Sequence, residues 1–180
     1  IVLPALLAIG TITGLTAKAQ NTAATAQVSV TLASILDIHI GNATGTDAAV
    51  AIPAFNSAER YQNGVQEAKT DHLYIVASKG FTVQASATDL SDGSGHTIPA
   101  GGINILGADG SSGSTNKPAG TSYLNLNLAN TAANFITATG GTPLYTFNVT
   151  YTLGGSTRAA YFIGKEPGSY SSTVTYTIIP

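Results

Sequence analysis

The sequence predicts an all-β sandwich on three observations. Apolar and polar residues alternate with period two in segment after segment. Clusters of Gly, Pro, Asn, Asp and Ser separate those segments, and no apolar period near 3.6 lasts for several turns. About seven to nine antiparallel strands in two packed sheets accommodate such a pattern. With 180 residues and 43% hydrophobic content the chain can bury one core. It carries no fixed-period repeat, so one domain over 20–180 is predicted.

The first segment, IVLPALLAIGTITGLTAKAQ, has the layout of a secretory signal. An apolar stretch is followed by small polar residues and then by Ala17-Lys18-Ala19, an A-x-A type cleavage site. Residues 1–19 are therefore expected to be a signal peptide truncated at its start, directing export to the cell surface or medium. Pro4, Gly10 and Gly14 break the stretch too soon for a stable membrane span. The competing expectation is a retained apolar arm that packs in an assembly.

After a polar leader, VSVTLASILDIHI places Val28, Val30, Leu32, Leu36, Ile38 and Ile40 on one parity, predicting a long half-buried strand or one bent near Ser34. AVAIPAF is apolar but contains Pro53, so it reads at best as an edge strand. NSAERYQNGVQEAKT reads as a short helix or irregular crossover interrupted at Asn63-Gly64. HLYIVAS and FTVQASA read as a hairpin through Lys79-Gly80, with Gly80 supplying a positive φ. DLSDGSGH is a loop, TIPAGGINILG holds two short strands, and GADGSSGSTNKPAGTS is too biased for regular structure. YLNLNL puts Leu124, Leu126 and Leu128 on one face. PLYTFNVTYTL turns Tyr145, Phe147, Val149, Tyr151 and Leu153 inward; with Phe81 its aromatics are expected to dominate the core. The terminal strand places Val174, Tyr176 and Ile178 on one side, and its expected partner is PLYTFNVTYTL.

Composition narrows the function classes. Charged residues make up 9% of the chain, against roughly 25% in an average soluble domain. Net charge is −2, leaving no basic stripe for nucleic acid. The absence of Cys removes disulfides, thiolate metal sites and a Cys nucleophile. No G-x-S-x-G, H-E-x-x-H or phosphate-loop pattern occurs, so neither an enzyme nor a cofactor is expected. His39, His72 and His96 lie far apart and read as surface or strand-end histidines. Asp89 and Asp92 offer hard oxygen ligands, but the EF-hand order is absent and a plain turn is the expectation, with no metal. Asp37 faces outward, where a charge discourages edge pairing. Lys165-Glu166-Pro167-Gly168 reads as a turn, and Asn42-Ala43-Thr44 and Asn148-Val149-Thr150 fit the weak N-glycosylation pattern. Among the eight tyrosines, Tyr61, Tyr74, Tyr123 and Tyr161 are free of core parity and are the candidates for a surface that meets polysaccharide.

The opening ATAQVSVTLASILDI and the closing KEPGSYSSTVTYTIIP, with Gly168-Ser169-Tyr170 before a Thr-rich final strand, resemble the bacterial pilin-like domains grouped with spore-coat protein U. The resemblance spans about 26–180 in layout and is motif-like at the two ends. It implies an Ig-like antiparallel sandwich and a non-enzymatic structural subunit of a cell-surface filament, coat or matrix, whose partners are copies of itself or related subunits. In chaperone–usher pilins a neighbour's N-terminal extension completes the sandwich. The corresponding donor residues here are Val28, Val30 and Leu32. Two departures stand against the donor mechanism: the near-terminal Tyr is followed by Ile178, Ile179 and Pro180, and the leader before Val28 is short and weakly apolar. A monomeric secreted adhesin or glycan-binding module is the alternative expectation.

Overall fold

In the computed structural model residues 25–41, 48–112 and 114–180 are described. The predicted signal peptide 1–19 and the Asn42-Ala43-Thr44 sequon lie outside them. The chain divides into two units, 1–32 and 33–180. The described part of the first, 25–32, holds no helix or strand, and its Val28, Val30 and Leu32 are exposed.

The second unit is the all-β sandwich. Its strands are β1 (Leu36–Ile40), β2 (Val65–Ala77), β3 (Phe81–Ala87), β4 (Leu90–Ser91), β5 (Thr97–Ile98), β6 (Ile103–Asp109), β7 (Ser122–Tyr123), β8 (Asn125–Asn127), β9 (Ala133–Ala138), β10 (Thr142–Leu153) and β11 (Val174–Ile179). One sheet has the order β1-β2-β10-β6-β8 and the other β11-β3-β9-β7, while β4 and β5 form a small ribbon. All pairings are antiparallel. These eleven strands exceed the expected number because four of them are only two or three residues long. The only α-helix among the described residues, α1 (Ala58–Asn63), starts where the Ser57 side chain accepts from the Arg60 N–H. It stops at Gly64, as the Asn63-Gly64 signal predicts.

The inward aromatics Phe81, Tyr145, Phe147 and Tyr151 are all buried, joined by Phe135, Phe162 and Tyr176. Leu73, Ile75, Val83 and Val149 alternate between them, so two sheet faces interdigitate over one apolar layer.

Several expectations are corrected. β2 and β3 do not form a hairpin: the chain at Ser78–Gly80 crosses from one sheet to the other. Gly80 is absent from the positive-φ positions; its need is proximity, since a Cβ there would lie 2.8 Å from the Thr139 carbonyl oxygen and 2.9 Å from that of Ala138. The terminal strand pairs with β3, Val174 opposite Ala87 and Ile179 opposite Thr82, and not with β10, which is flanked by β2 and β6. The long first strand begins only at Leu36, opposite Ala77. One further backbone bond, from the Ser78 N–H to the Ile35 carbonyl at 2.9 Å, precedes the point where the chain after β2 crosses to the other sheet. AVAIPAF forms no strand. In YLNLNL the chain changes sheets between β7 and β8, which leaves Leu124 exposed and Leu128 buried. Apart from these corrections, a 3-10 turn at Ala159–Tyr161 delivers Phe162 to the core.

Candidate functional site

Two edge strands, β1 of one sheet and β11 of the other, flank a hollow of about 470 Å³. Its floor is built from core-facing residues: His72 of β2, Tyr151 and Leu153 of β10, Tyr176 of β11, with Leu90 and Ile103. Ile40, Val50 and Ile52 form one wall; the extended run Tyr170–Val174 forms the other. Among the described residues, no Lys, Arg, Asp or Glu lines it. Ile52, Leu90, Leu153 and Tyr170 also line a second hollow of about 420 Å³, where Phe55, Tyr61 and Phe162 meet Lys165 and Glu166. The two are thus halves of one trough along the open side of the sandwich.

The polar part of the floor depends on an irregularity in β2. Between Leu73 opposite Phe147 and Lys69 opposite Val149, β2 uses four steps where β10 uses two. Asp71 takes a positive φ of 49°, and Asn148 accepts its N–H through Oδ1 at 2.7 Å. The bulge puts His72 and Leu73, consecutive residues, both inside. His72 is therefore neither a surface nor a strand-end histidine but 1% exposed. Its Nε2 lies 2.8 Å from the Tyr151 hydroxyl, which lies 2.7 Å from that of Tyr176. Three strands from both sheets are thereby linked by one polar chain. Burial pushes the Tyr151 hydroxyl up to about 12, the Tyr176 bond acting the other way. Burial also raises Tyr176 well above its ordinary value, reinforced by Tyr151. Both hydroxyls stay neutral in ordinary solution and serve as hydrogen-bonding groups.

Of the terminal residues singled out in the sequence, Tyr176 is in this floor, Val174 in its wall, and Ile178 half-buried beyond it. The edge β11 contains no charge and no proline within Val174–Ile179. On β1 the outward Asp37 and His39 pair at 2.9 Å, a charged guard on an edge strand.

The remaining candidates are occupied in holding loops. Asp92 accepts from the Ser94 and His96 N–H groups through Oδ1 and lies 2.6 Å from His96 Nδ1 through Oδ2. The His96 bond lowers the Asp92 pKa and Asp92 raises that of His96. Asp89 accepts instead from the Ala100 N–H. The two carboxylates do not converge, and among the described residues no three His, Cys, Asp or Glu side chains are grouped for a metal. The biased stretch after β6 is pinned despite its composition. Asp109 receives the hydroxyls of Tyr123 and Tyr145, and Lys117 Nζ at 2.5 Å. Partial burial opposes ionisation of Asp109, but these three donors hold its pKa below the usual carboxylate range. Asp71 is likewise held down by Ser111 and Thr146 against the cost of burial. Tyr123 is thus committed to a network, Tyr61 packs on Phe55, and Tyr161 remains exposed. Asn148 is bound on both sides, donating to the Asp109 carbonyl at 2.7 Å as well as accepting from Asp71.

Sequence reasoning missed the trough because its walls bring together segments far apart in the chain, Ile40, Val50 and Ile52 on one side and Tyr170–Val174 on the other. A partial signal existed in the adjacent pair His72-Leu73: a polar residue beside an apolar one where parity slips is what a bulge writes into a strand. Compared with known proteins, the chain matches no family model and no curated sequence.

Proposed function

We propose that this chain is an exported, non-enzymatic structural subunit of a cell-surface filament, coat or matrix, and that copies join when the 28–32 segment of one enters the trough of another. The observation that carries the reading is a complementarity. Val28, Val30 and Leu32 alternate, exposed and without a sheet partner, while the half of the trough beside the unguarded edge of β11 has, among the described residues, no Lys, Arg, Asp or Glu in its lining. An extended segment added there gains main-chain hydrogen bonds from the edge and places alternate side chains over the core. Assembly needs only apolar burial and strand pairing, which suits a surface with so few charges.

The test is light scattering and negative-stain microscopy of the exported protein beside V28S/V30S/L32S. Polymers from the parent and none from the variant support the reading. Folded monomers from both dispose of it. The aromatic half of the trough favours a second reading, a glycan-binding module, because Tyr61 and Tyr170 border it with Lys165 and Glu166. Binding to a polysaccharide panel that is lost in Y61A and Y170A would place that reading first.

A further inference from the structure

The segment 48–55 runs along the trough with an unusual mode of attachment. Its Val50 and Ile52 are half-buried against the core. Yet among the described residues no backbone–backbone hydrogen bond ties 48–53 to either sheet. The first such bond, Asn56 N–H to the Ala54 carbonyl, is local, and Arg60 Nη1 donates to the same carbonyl at 2.7 Å. Pro53 has no N–H to offer. The far end is anchored differently. Phe55 stacks on Phe162 with centroids 4.9 Å apart and contacts Tyr61 at 5.1 Å. Gly154, at φ 72°, leaves room for it: a Cβ there would lie 2.8 Å from the Phe55 ring. The strap is therefore fixed at Phe55 and held before it by two aliphatic side chains. Ile52 stands where the two hollows meet.

A segment that packs on the core at the trough without a backbone hydrogen bond to either sheet is a weak cover for it. It supplies apolar burial but leaves the ladder unmade. A strand that enters and pairs supplies both. We infer that residues 48–53 are a displaceable strap, an internal competitor that covers the trough until another copy's strand pushes Val50 and Ile52 aside, with Phe55 as the fixed end. The inference rests on the strand-donation reading above and adds to it the control of assembly rate. Removing the strap's grip enlarges the fraction of molecules whose trough is open, and apparent affinity for the incoming strand rises by the same factor.

The experiment uses the full chain with its own donor silenced, V28S/V30S/L32S, and a fluorescent peptide of residues 26–34, AQVSVTLAS. Association is followed by anisotropy with the strap intact and with V50S/I52S added. The expected result is association roughly tenfold faster and correspondingly tighter with the weakened strap. The near-UV signal of the buried tyrosines checks that the core is retained; if V50S/I52S does not fold, I52A carries the comparison with an expected gain of roughly threefold. Peptide binding that is equal or slower in the strap variant overturns the strap and leaves strand donation standing. No binding to either form overturns both.

Discussion

Two substitutions that each remove a single oxygen from the floor of the trough should differ in cost. Tyr176→Phe deletes the last hydroxyl of the chain His72 Nε2···Tyr151···Tyr176 and leaves Tyr151 still bonded to His72. One hydrogen bond is lost, and the ring packing survives, so the expected destabilisation is about 1 kcal/mol. Tyr151→Phe deletes the middle hydroxyl. It removes both bonds and leaves the imidazole of a residue that is 1% exposed facing an aromatic edge. Two lost bonds, with the buried Tyr176 hydroxyl deprived of Tyr151, bring the total to about 2–4 kcal/mol. A gap of about 1–3 kcal/mol separates the variants, or roughly 3–10 °C in melting temperature for a domain of this size. Adding Tyr176→Phe to Tyr151→Phe should cost little more, because the second hydroxyl has already lost its partner. Urea unfolding followed by tyrosine emission, unmasked by any Trp, gives the free energies, with far-UV circular dichroism as the second probe. If Tyr176→Phe costs as much as Tyr151→Phe, or if the double variant is additive, the polar chain is not a unit and the reasoning fails.

Alkaline pH should loosen the same core. The Tyr151 pKa is raised in the folded chain to about 12, above an unfolded value of about 10. Its contribution is therefore complete below pH ~10 and is lost as pH rises toward ~12, on the order of 2–3 kcal/mol. A urea midpoint unchanged between pH ~9 and ~11.5 would contradict it. Gly80→Ala should destabilise by about 1–3 kcal/mol, because a Cβ must push the 138–139 backbone away. A melting temperature equal to the parent's would show that the crossover yields more easily than its distances imply.

Much of the sandwich was legible because period-two burial writes itself plainly into PLYTFNVTYTL and FTVQASA, whose inward residues are those the alternation names. Pairing was not legible. Lys79-Gly80 has the chemistry of a hairpin turn, but a tight crossover between sheets also demands a residue without Cβ, and the two demands look alike in one dimension. β9 went unnoticed since Phe135 and Ile136 are both buried at a register shift, erasing the alternation that would reveal it. The trough was hidden for a related reason. Its floor depends on the β2 bulge and its walls on segments held by contacts distant in sequence. Val28, Val30 and Leu32 were visible as an alternating triplet because that signal is local.

The pairing of β11 with β3 has a consequence for the order of events when the chain is made. Ser172 bonds to Thr88 across 84 residues of sequence, and the ladder continues from there. Until the segment carrying Val174–Ile179 has emerged, β3 lacks that neighbour and the inner hydroxyl chain lacks its third member. A chain delivered from its N-terminus spends that interval with the edge of β3 bare, while Val28, Val30 and Leu32 are already out. Closure of such distant contacts is slow relative to local ones. In that interval the β3 edge is unpaired, so anything that shields it acts on the yield of folded chains rather than on the stability of the finished fold.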